Sequence, residues 1–209
     1  RLELPTAVWR AAARPAARVS AWPRTSLVVS CVLALLPALS WVATDAGSAP
    51  VWACVAAVSA WAATGLLASS LLLMERARFL DVVFGGLARL YRYHHAVGTA
   101  AFVLVLVHPL ALAVASLQAA TPDPLAWLWP KAQSVRVLSG WAALLPLMAW
   151  MVFTVTSRVR YRKWRMFHRS SGVLLALIAW HLIAVFRGAF ADFLGIAWLL
   201  LGSLGYARR

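Results

Sequence analysis

The chain has 209 residues, of which 63% are hydrophobic and only 12% are charged. A soluble domain carries about twice that charged fraction, so the composition indicates an integral membrane protein in contact with the lipid bilayer. The formal net charge of +14 is spread over short loops between apolar runs and is not gathered on one domain. We therefore expect no binding of nucleic acid.

Six apolar segments approach the roughly 20 residues that a membrane-spanning helix needs. They predict an all-α membrane protein, a bundle of six transmembrane helices over residues 25–209 that follows a basic cytoplasmic arm over residues 1–24. The sixth segment is the shortest. The segments are Thr25–Ala43, Val51–Met74, Tyr93–Leu117, Val137–Thr156, Met166–Phe186 and Phe193–Tyr206.

The loop charges predict the orientation of the helices. Of the 20 Lys and Arg residues, 16 lie in the N-terminal arm, the second loop, the fourth loop and the tail, against three in the alternate loops. Basic loops stay in the cytoplasm, so both termini are expected there, and helices 3 and 5 both run outward. A bacterial inner membrane is the expected location. The first 24 residues are basic and contain no apolar stretch, so we expect no cleavable signal peptide.

Two segments that connect the apolar runs have distinct sequence patterns. Glu75–Tyr91 mixes apolar and charged residues at helical spacing, which predicts an amphipathic helix at the cytoplasmic interface. Gln118–Gln133 contains Trp127, Trp129 and three prolines. Tryptophan settles at the depth of the lipid headgroups, so this loop is predicted to form an extracytoplasmic cap.

All five histidines lie in or at the start of the third and fifth apolar segments. Fourteen residues separate His94 from His108, which corresponds to about 21 Å and to nearly the same helix face. His95 would lie about 140° away from that face, so the spacing favours His94. Two histidines on each of two parallel helices can hold two haems, with His94/His168 as the inner pair and His108/His181 as the outer pair. Imidazoles at both axial positions of a haem iron suit electron transfer.

The fifth segment does not fit this scheme as an ideal helix. His168 and His181 are thirteen residues apart, so a regular helix would not place both on one line. Haem ligation by both histidines therefore predicts a local distortion, or haems approached from different directions. His95 is expected to hydrogen-bond a haem propionate or the backbone rather than to bind iron.

Glycines and arginines near the histidines add to the pattern. Gly98 and Gly172 each follow a histidine by four residues, on the same helix face. A missing side chain there would let a flat macrocycle lie against the helix, although glycine also serves helix–helix contact. Candidate cations for the haem propionates, which serve equally as topology determinants, are Arg92, Arg165 and Arg169 at the inner end and Lys131, Arg136 and Arg187 at the outer end.

Two alternatives to electron transfer stay open at this point. A histidine-lined metal or proton transporter would place carboxylates beside the histidines inside the helices. The apolar segments contain no Asp or Glu that is clearly buried, since Asp192 lies at a helix end. The other alternative is a structural membrane subunit that merely keeps haem as a cofactor.

Two stretches of the chain resemble the ligand helices of the ferric reductase-like transmembrane domain superfamily. They are LYRYHHAVGTAAFVLVLVHPLAL and RVRYRKWRMFHRSSGVLLALIAWHLIAVF. That superfamily contains NADPH oxidases, ferric reductases and the haem-binding subunit of periplasmic methionine sulfoxide reductase, and the resemblance extends over about Val51 to Tyr206. It implies b-type haems on the four paired histidines. It also implies electron transfer from a cytoplasmic flavin and NAD(P)H to an extracytoplasmic acceptor such as ferric iron or molecular oxygen.

The resemblance further implies a cytosolic flavoprotein domain after the sixth helix. No flavin-binding or GxGxxG motif occurs in these 209 residues. We therefore expect FAD and NAD(P)H on a fused domain or on a partner flavoprotein, and this chain as the membrane module of an oxidoreductase. The sulfoxide reductase subunit, which passes electrons to a periplasmic enzyme, is the alternative within the superfamily. It generally lacks an equivalent of His94, which favours the two-haem branch.

Overall fold

The computed structural model of the chain describes residues 24–74, 80, 83–130, 134–155, 160–187 and 190–207. The described part is helical and contains no β-strand. Residues 1–23 of the predicted basic arm lie outside it. The helices are α1 (Arg24–Asp45), α2 (Val51–Leu73), α3 (Leu87–Gln118), α4 (Val135–Val155), α5 (Tyr161–His168), α6 (Ser171–Val185) and α7 (Phe190–Ala207), with short 3₁₀ turns at Ala46–Ser48 and Ala126–Leu128.

Four stretches of the described residues are long and apolar enough to cross a membrane. They are Val51–Leu73, Leu87–Gln118, Val135–Thr154 and the combined α5–α6 stretch Tyr161–Val185. Helices α1 and α7 coincide with the first and sixth predicted segments but are not among these four, so the structure supports a helical membrane bundle without establishing six spans. Large apolar side chains face outward along the helices, as lipid contact requires. Examples are Val51, Val103, Val152, Ile183 and Leu200.

Helix α2 lies at the centre of the bundle and packs against α1, α3 and α7. Its buried positions are mostly small, which allows close approach of helix backbones in a membrane. A Cβ atom on Gly65 would overlap the backbone carbonyl of Ala34 in α1, and one on Gly195 in α7 would overlap the ring of Trp61. These two glycines therefore set how closely α1 and α7 approach α2.

The remaining contacts divide the bundle into two helix pairs. Helix α3 packs closely on α2, and α6 packs closely on α4, while α7 contacts α1, α2 and α6. Within the described part of the chain, α3 and α6 are therefore not a closely packed pair. The histidine-bearing helices α3 and α6 are thus backed by α2 and α4, respectively.

The start of α3 differs from the prediction. We expected an interfacial helix over Glu75–Tyr91, but α3 already begins at Leu87. Gly85 and Gly86 precede it with φ angles of +69° and +110°, a conformation that residues with a Cβ adopt only with strain. This glycine turn separates α3 from the residues before it, and residues 75–79 and 81–82 of the predicted interfacial helix lie outside the described residues.

The fifth predicted segment is two helices rather than one, because the chain turns at Arg169–Ser170. The backbone N–H of Ser170 donates to the carbonyl of Phe167 at 2.9 Å, and the Ser170 hydroxyl donates to the same carbonyl at 2.6 Å. Serine competes in this way with regular helical bonding. A 3₁₀-type turn advances about 120° per residue against about 100° in an α-helix. The extra twist reduces the angular offset between His168 and His181.

The loop after α3 folds back on the helix end. The indole N–H of Trp127 donates to the Ser116 hydroxyl at 2.7 Å, and the indole N–H of Trp141 donates to the Trp127 carbonyl at 3.2 Å. Trp129 is 65% exposed. Within the described residues of the predicted cap, the loop is thus a packed turn held against the ends of α3 and α4.

Replacing Ala120 with glycine should stabilise the protein. Ala120 ends α3 with a φ of +50°, and the next residue, Thr121, donates its N–H to the Ser116 carbonyl at 3.2 Å. This left-handed helix end favours glycine, and a residue with a Cβ costs about 1 kcal/mol there. We expect Ala120→Gly to raise the midpoint of thermal unfolding in detergent, followed by circular dichroism. Ala119→Gly is the control, because Ala119 has a φ of −80°, and an equal gain there would contradict the explanation.

Candidate functional site

The two histidines of α3 are held by the backing helix α2. Nδ1 of His94 lies 2.8 Å from the Ser70 hydroxyl and 3.0 Å from the Ser70 backbone carbonyl. Nδ1 of His108 lies 2.9 Å from the backbone carbonyl of Ala56. The distance along the chain is fourteen residues in both cases, from Ala56 to Ser70 and from His94 to His108. Because α2 and α3 are antiparallel, this equal spacing places a backbone carbonyl of α2 beside each of the two histidine rings.

Helix α4 supports the histidines of α5 and α6. Nδ1 of His181 lies 3.1 Å from the Ser139 hydroxyl. That hydroxyl donates its own hydrogen to the Arg136 carbonyl at 3.1 Å, so it accepts the Nδ1–H of His181. Ser139 is fully buried, and its neighbour Gly140 would bring a Cβ to within 3.1 Å of the His181 ring. A glycine at this position lets the ring lie against α4.

These hydrogen bonds fix the tautomer of three histidines. A carbonyl oxygen only accepts hydrogen bonds, so His94 and His108 carry their proton on Nδ1, and the serine geometry gives the same result for His181. In a neutral imidazole with this tautomer, Nε2 keeps its lone pair. Metal-binding histidines are typically held in this way, with one nitrogen on the metal and the other donating to a carbonyl or similar group. His94, His108 and His181 are therefore oriented and protonated as metal ligands are.

The inner histidines of the two helix pairs face each other. The ring centroids of His94 and His168 are 6.2 Å apart with an interplanar angle of 78°. A metal–imidazole bond is about 2 Å long, so two imidazoles on opposite sides of one metal ion have their centroids about 6 Å apart. The separation of this pair fits bis-histidine ligation of a single metal ion.

Two tryptophans stack on His168. The ring of Trp150 in α4 lies 4.8 Å from it at 29°, and the ring of Trp164 in α5 lies 4.8 Å from it at 17°. Such near-parallel stacking restricts rotation of the imidazole. His168 is thus positioned by aromatic contacts where the other three histidines are positioned by hydrogen bonds.

The outer histidines lie on the same two helix pairs. His108 is in α3 and His181 is in α6, and both side chains are half-buried. Each is held by the helix that packs against its own, α2 for His108 and α4 for His181. Of the two predicted pairs, the ring contact within the described residues is the one between His94 and His168.

Gly98 lies one turn after His94, on the side of α3 that faces Ser70 of α2. A Cβ on Gly98 would meet only the Ser70 hydroxyl, at 3.7 Å, which is an ordinary contact. Helix packing therefore does not require glycine here. Within the described residues, α3 and α6 are not closely packed, and imidazoles are ligands that haem iron takes in electron-transfer proteins. The donor set of the paired histidines therefore fits a haem.

The other predicted site residues lie at the edges of this region. His95 is exposed, on a different face of α3 from His94, and Arg92 is exposed two residues before His94. Gly172 is half-buried in the first turn of α6. Arg169 is exposed in the turn between α5 and α6, where it lines a cleft with Arg162, Arg165 and Met166. Within the described ranges, no three His, Cys, Asp or Glu side chains gather around one point.

Sequence reasoning missed the groups that orient the histidines. Ser70 had a usable signal, because it is a polar side chain within an apolar segment. The Ala56 carbonyl had none, since every residue has a backbone carbonyl. Gly140 and Trp150 could have been found only by knowing that α4 backs α6.

Fold and site together define a helical membrane protein with histidines on neighbouring helices of its bundle. Residues 59–179 match the model of the family described as ferric reductase like transmembrane component. This match covers more than half of the chain and includes His94, His108 and His168, so the chain belongs to that family. Among curated proteins, none matches the sequence significantly.

Two glycine-to-alanine substitutions should have opposite effects on stability. Alanine is favoured over glycine by about 1 kcal/mol within a helix. Gly98→Ala should raise the free energy of unfolding, because its Cβ would make only an ordinary contact. Gly140→Ala should lower the free energy of unfolding, because its Cβ would displace the His181 ring. Thermal unfolding of the haem-free protein compares the two variants. Equal stabilisation by both would show that the His181 ring is not held against α4.

Proposed function

We propose that this protein carries electrons across a membrane through two b-type haems. His94 and His168 would hold the inner one, and His108 and His181 the outer one. The electrons come from a cytoplasmic flavin reduced by NAD(P)H and go to an extracytoplasmic acceptor such as ferric iron or molecular oxygen. The observation that carries this proposal is the Nδ1 hydrogen bonding of three histidines, combined with the 6.2 Å separation of the inner pair.

When bound, a bis-histidine haem supplies one-electron transfer at an iron with no open coordination position. The chain's own groups do the rest. Ser70, the Ala56 carbonyl and Ser139 hold three imidazoles with Nε2 directed to act as a ligand nitrogen. Trp150 and Trp164 hold the fourth. Because these supports are built into helices, they would hold the imidazoles in one orientation in both redox states.

The spacing of the ligands suits a route across the bilayer. Fourteen residues of α3 correspond to about 21 Å along the helix axis, within an apolar core of about 30 Å. Arg92 and Arg169 lie at the His94/His168 end and are suited to pair with haem propionates. Gly98 and Gly172 each follow an inner ligand by four residues, where the missing side chain would leave room for a haem. FAD and NAD(P)H would bind to a fused domain or to a partner flavoprotein.

A transporter function explains the arrangement of the same histidines less well than electron transfer does. A proton or metal path needs side chains that exchange partners, whereas three of these imidazoles are fixed by hydrogen bonds to neighbouring helices. The one buried carboxylate among the described residues, Asp192, accepts the backbone N–H of Arg187 at 2.8 Å at the start of α7. It lies at a helix end and not beside the histidines.

Haem analysis of the purified protein tests the proposal. We expect two b-type haems per chain from the reduced-minus-oxidised spectrum and pyridine haemochromogen assay. His108→Ala and His181→Ala should each lose the outer haem, and His94→Ala the inner one, while His95→Ala should keep both. A single haem in the intact protein would favour the role of a subunit that serves a periplasmic methionine sulfoxide reductase. Absence of haem after expression with added haem precursor would refute the proposal.

The stacked tryptophans should influence the inner centre selectively. Electron-rich indole faces stabilise an electron-poor imidazole, which favours the oxidised iron. Trp164→Leu is therefore expected to raise the inner midpoint potential, with Trp164→Phe closer to the wild type and the outer potential unchanged. Spectroelectrochemical titration measures both centres. Trp129→Leu, in the exposed cap, is the control, and a shift of the same size there would contradict a specific effect of stacking.

A further inference from the structure

Two buried polar atoms of α4 have no hydrogen-bond partner within the described part of the chain. They are the indole Nε1–H of Trp150 and the hydroxyl of Thr154. In an apolar bundle such a donor is costly, because no bulk water replaces the missing acceptor. Native structures satisfy nearly all buried polar groups. The two donors therefore indicate a ligand that brings an acceptor to this place.

The hydroxyl of Thr154 differs from other hydroxyls in the bundle. A serine or threonine inside a helix commonly donates to the carbonyl three or four residues earlier. Hydroxyls that do so here, at distances between 2.8 and 3.0 Å, are those of Ser59, Thr64, Ser69 and Thr99. Thr154 makes no such bond to its own helix, so its hydroxyl can donate to a group outside α4.

Both donors lie on one face of α4, next to an inner histidine. Trp150 and Thr154 are four residues apart, so their side chains are neighbours on the helix surface. The Trp150 ring stacks on the His168 ring, with centroids 4.8 Å apart at 29°, and Thr154 lies in the last turn of α4. A group that accepts from both donors would therefore lie close to His168.

The two donors define the chemistry of the acceptor. An indole N–H only donates, so the ligand must supply an acceptor atom. Two neighbouring donors suit a carboxylate, which offers two acceptor oxygens and accepts stronger hydrogen bonds than a neutral group does. The sequence contains no Asp or Glu between Asp123 and Asp192, so α4, α5 and α6 carry no carboxylate side chain. A carboxylate that belongs to a bound cofactor fits these donors.

We propose that Trp150 and Thr154 bind a propionate carboxylate of the inner haem. This inference rests on the proposed function, in which His168 is an inner ligand, and it assigns two further residues to the same site. Haem b carries two propionates, and each has two oxygens, so neutral donors from α4 can act together with nearby arginines. Trp150 then has two roles. Its ring face positions His168, and its N–H holds the carboxylate.

The rate of haem loss to excess apomyoglobin tests this inference, because it reports on haem binding and not on electron transfer. The full-length protein is used in the His108→Ala background, which under the proposed function keeps only the inner haem. Trp150→Phe keeps a ring against His168 and removes the N–H, and Thr154→Val keeps the side-chain shape and removes the hydroxyl. Each should lose haem about tenfold faster, the effect of one hydrogen bond to a charged group.

Two substitutions of the same kind serve as matched controls. Trp141, on the same helix, donates its N–H to the Trp127 carbonyl at 3.2 Å, and Thr99 donates to the His95 carbonyl at 2.9 Å. Neither donor is directed at the inner haem, so Trp141→Phe and Thr99→Val should leave the rate of haem loss unchanged. Circular dichroism establishes that each variant is folded.

Haem dimethyl ester identifies the acceptor. In this haem both propionates are methyl esters, so the faster loss from Trp150→Phe and Thr154→Val should largely disappear when the proteins are loaded with it. A difference that persists undiminished with the ester would overturn the inference in favour of another acceptor, such as an ordered water.

The wild-type haem content separates this inference from the proposed function. Two haems in the wild type, together with rates for Trp150→Phe and Thr154→Val equal to those of the controls, would refute the assignment of these two donors and leave the electron-transfer proposal intact. A wild type that binds no haem would refute both.

Discussion

The arrangement of three histidines depends on hydrogen bonds from their Nδ1 atoms to the helix packed behind them, α2 for His94 and His108 and α4 for His181. An imidazole on a single helix can rotate about two side-chain bonds and exchange its proton between two nitrogens. The bonds from His94 to Ser70, from His108 to Ala56 and from His181 to Ser139 remove both freedoms. In an apolar bundle, where few other polar groups compete, such bonds also decide how α2 lies on α3 and how α4 lies on α6.

The small residues of the bundle make these bonds possible. Gly65 and Gly195 bring α1 and α7 against α2, and Gly140 lets the His181 ring lie against α4. The large side chains lie elsewhere, on the lipid-facing surface and around His168, where they are tryptophans. Each half of the bundle is therefore tightly packed within itself. The separation lies between the halves, where the paired imidazoles face each other and where the proposed haems would bind.

The spacing of residues along a helix predicted which histidines share a face, but it could not predict where the helices begin or turn. The spacing of His94 and His108 predicted a shared face, and the structure turns His94 toward α2 while His95 is exposed. The thirteen-residue spacing of His168 and His181 required a distortion, but only the bonding of Ser170 locates it at Arg169–Ser170. The extra turns at the start of α3 were missed because Gly85 and Gly86, rather than polarity, decide where that helix begins. The Ala56 carbonyl carries no side-chain signal at all.

The shared fourteen-residue register of α2 and α3 has a consequence for how this scaffold can vary. The distance between His94 and His108 along the bundle is set by the rise of α3, and the distance between their supports, Ser70 and Ala56, by the rise of α2. It does not depend on the segment that joins the two helices, so the linker between α2 and α3 could lengthen or shorten without altering this spacing. Under the proposed function, the distance between the two haems would be protected in the same way against changes in that linker.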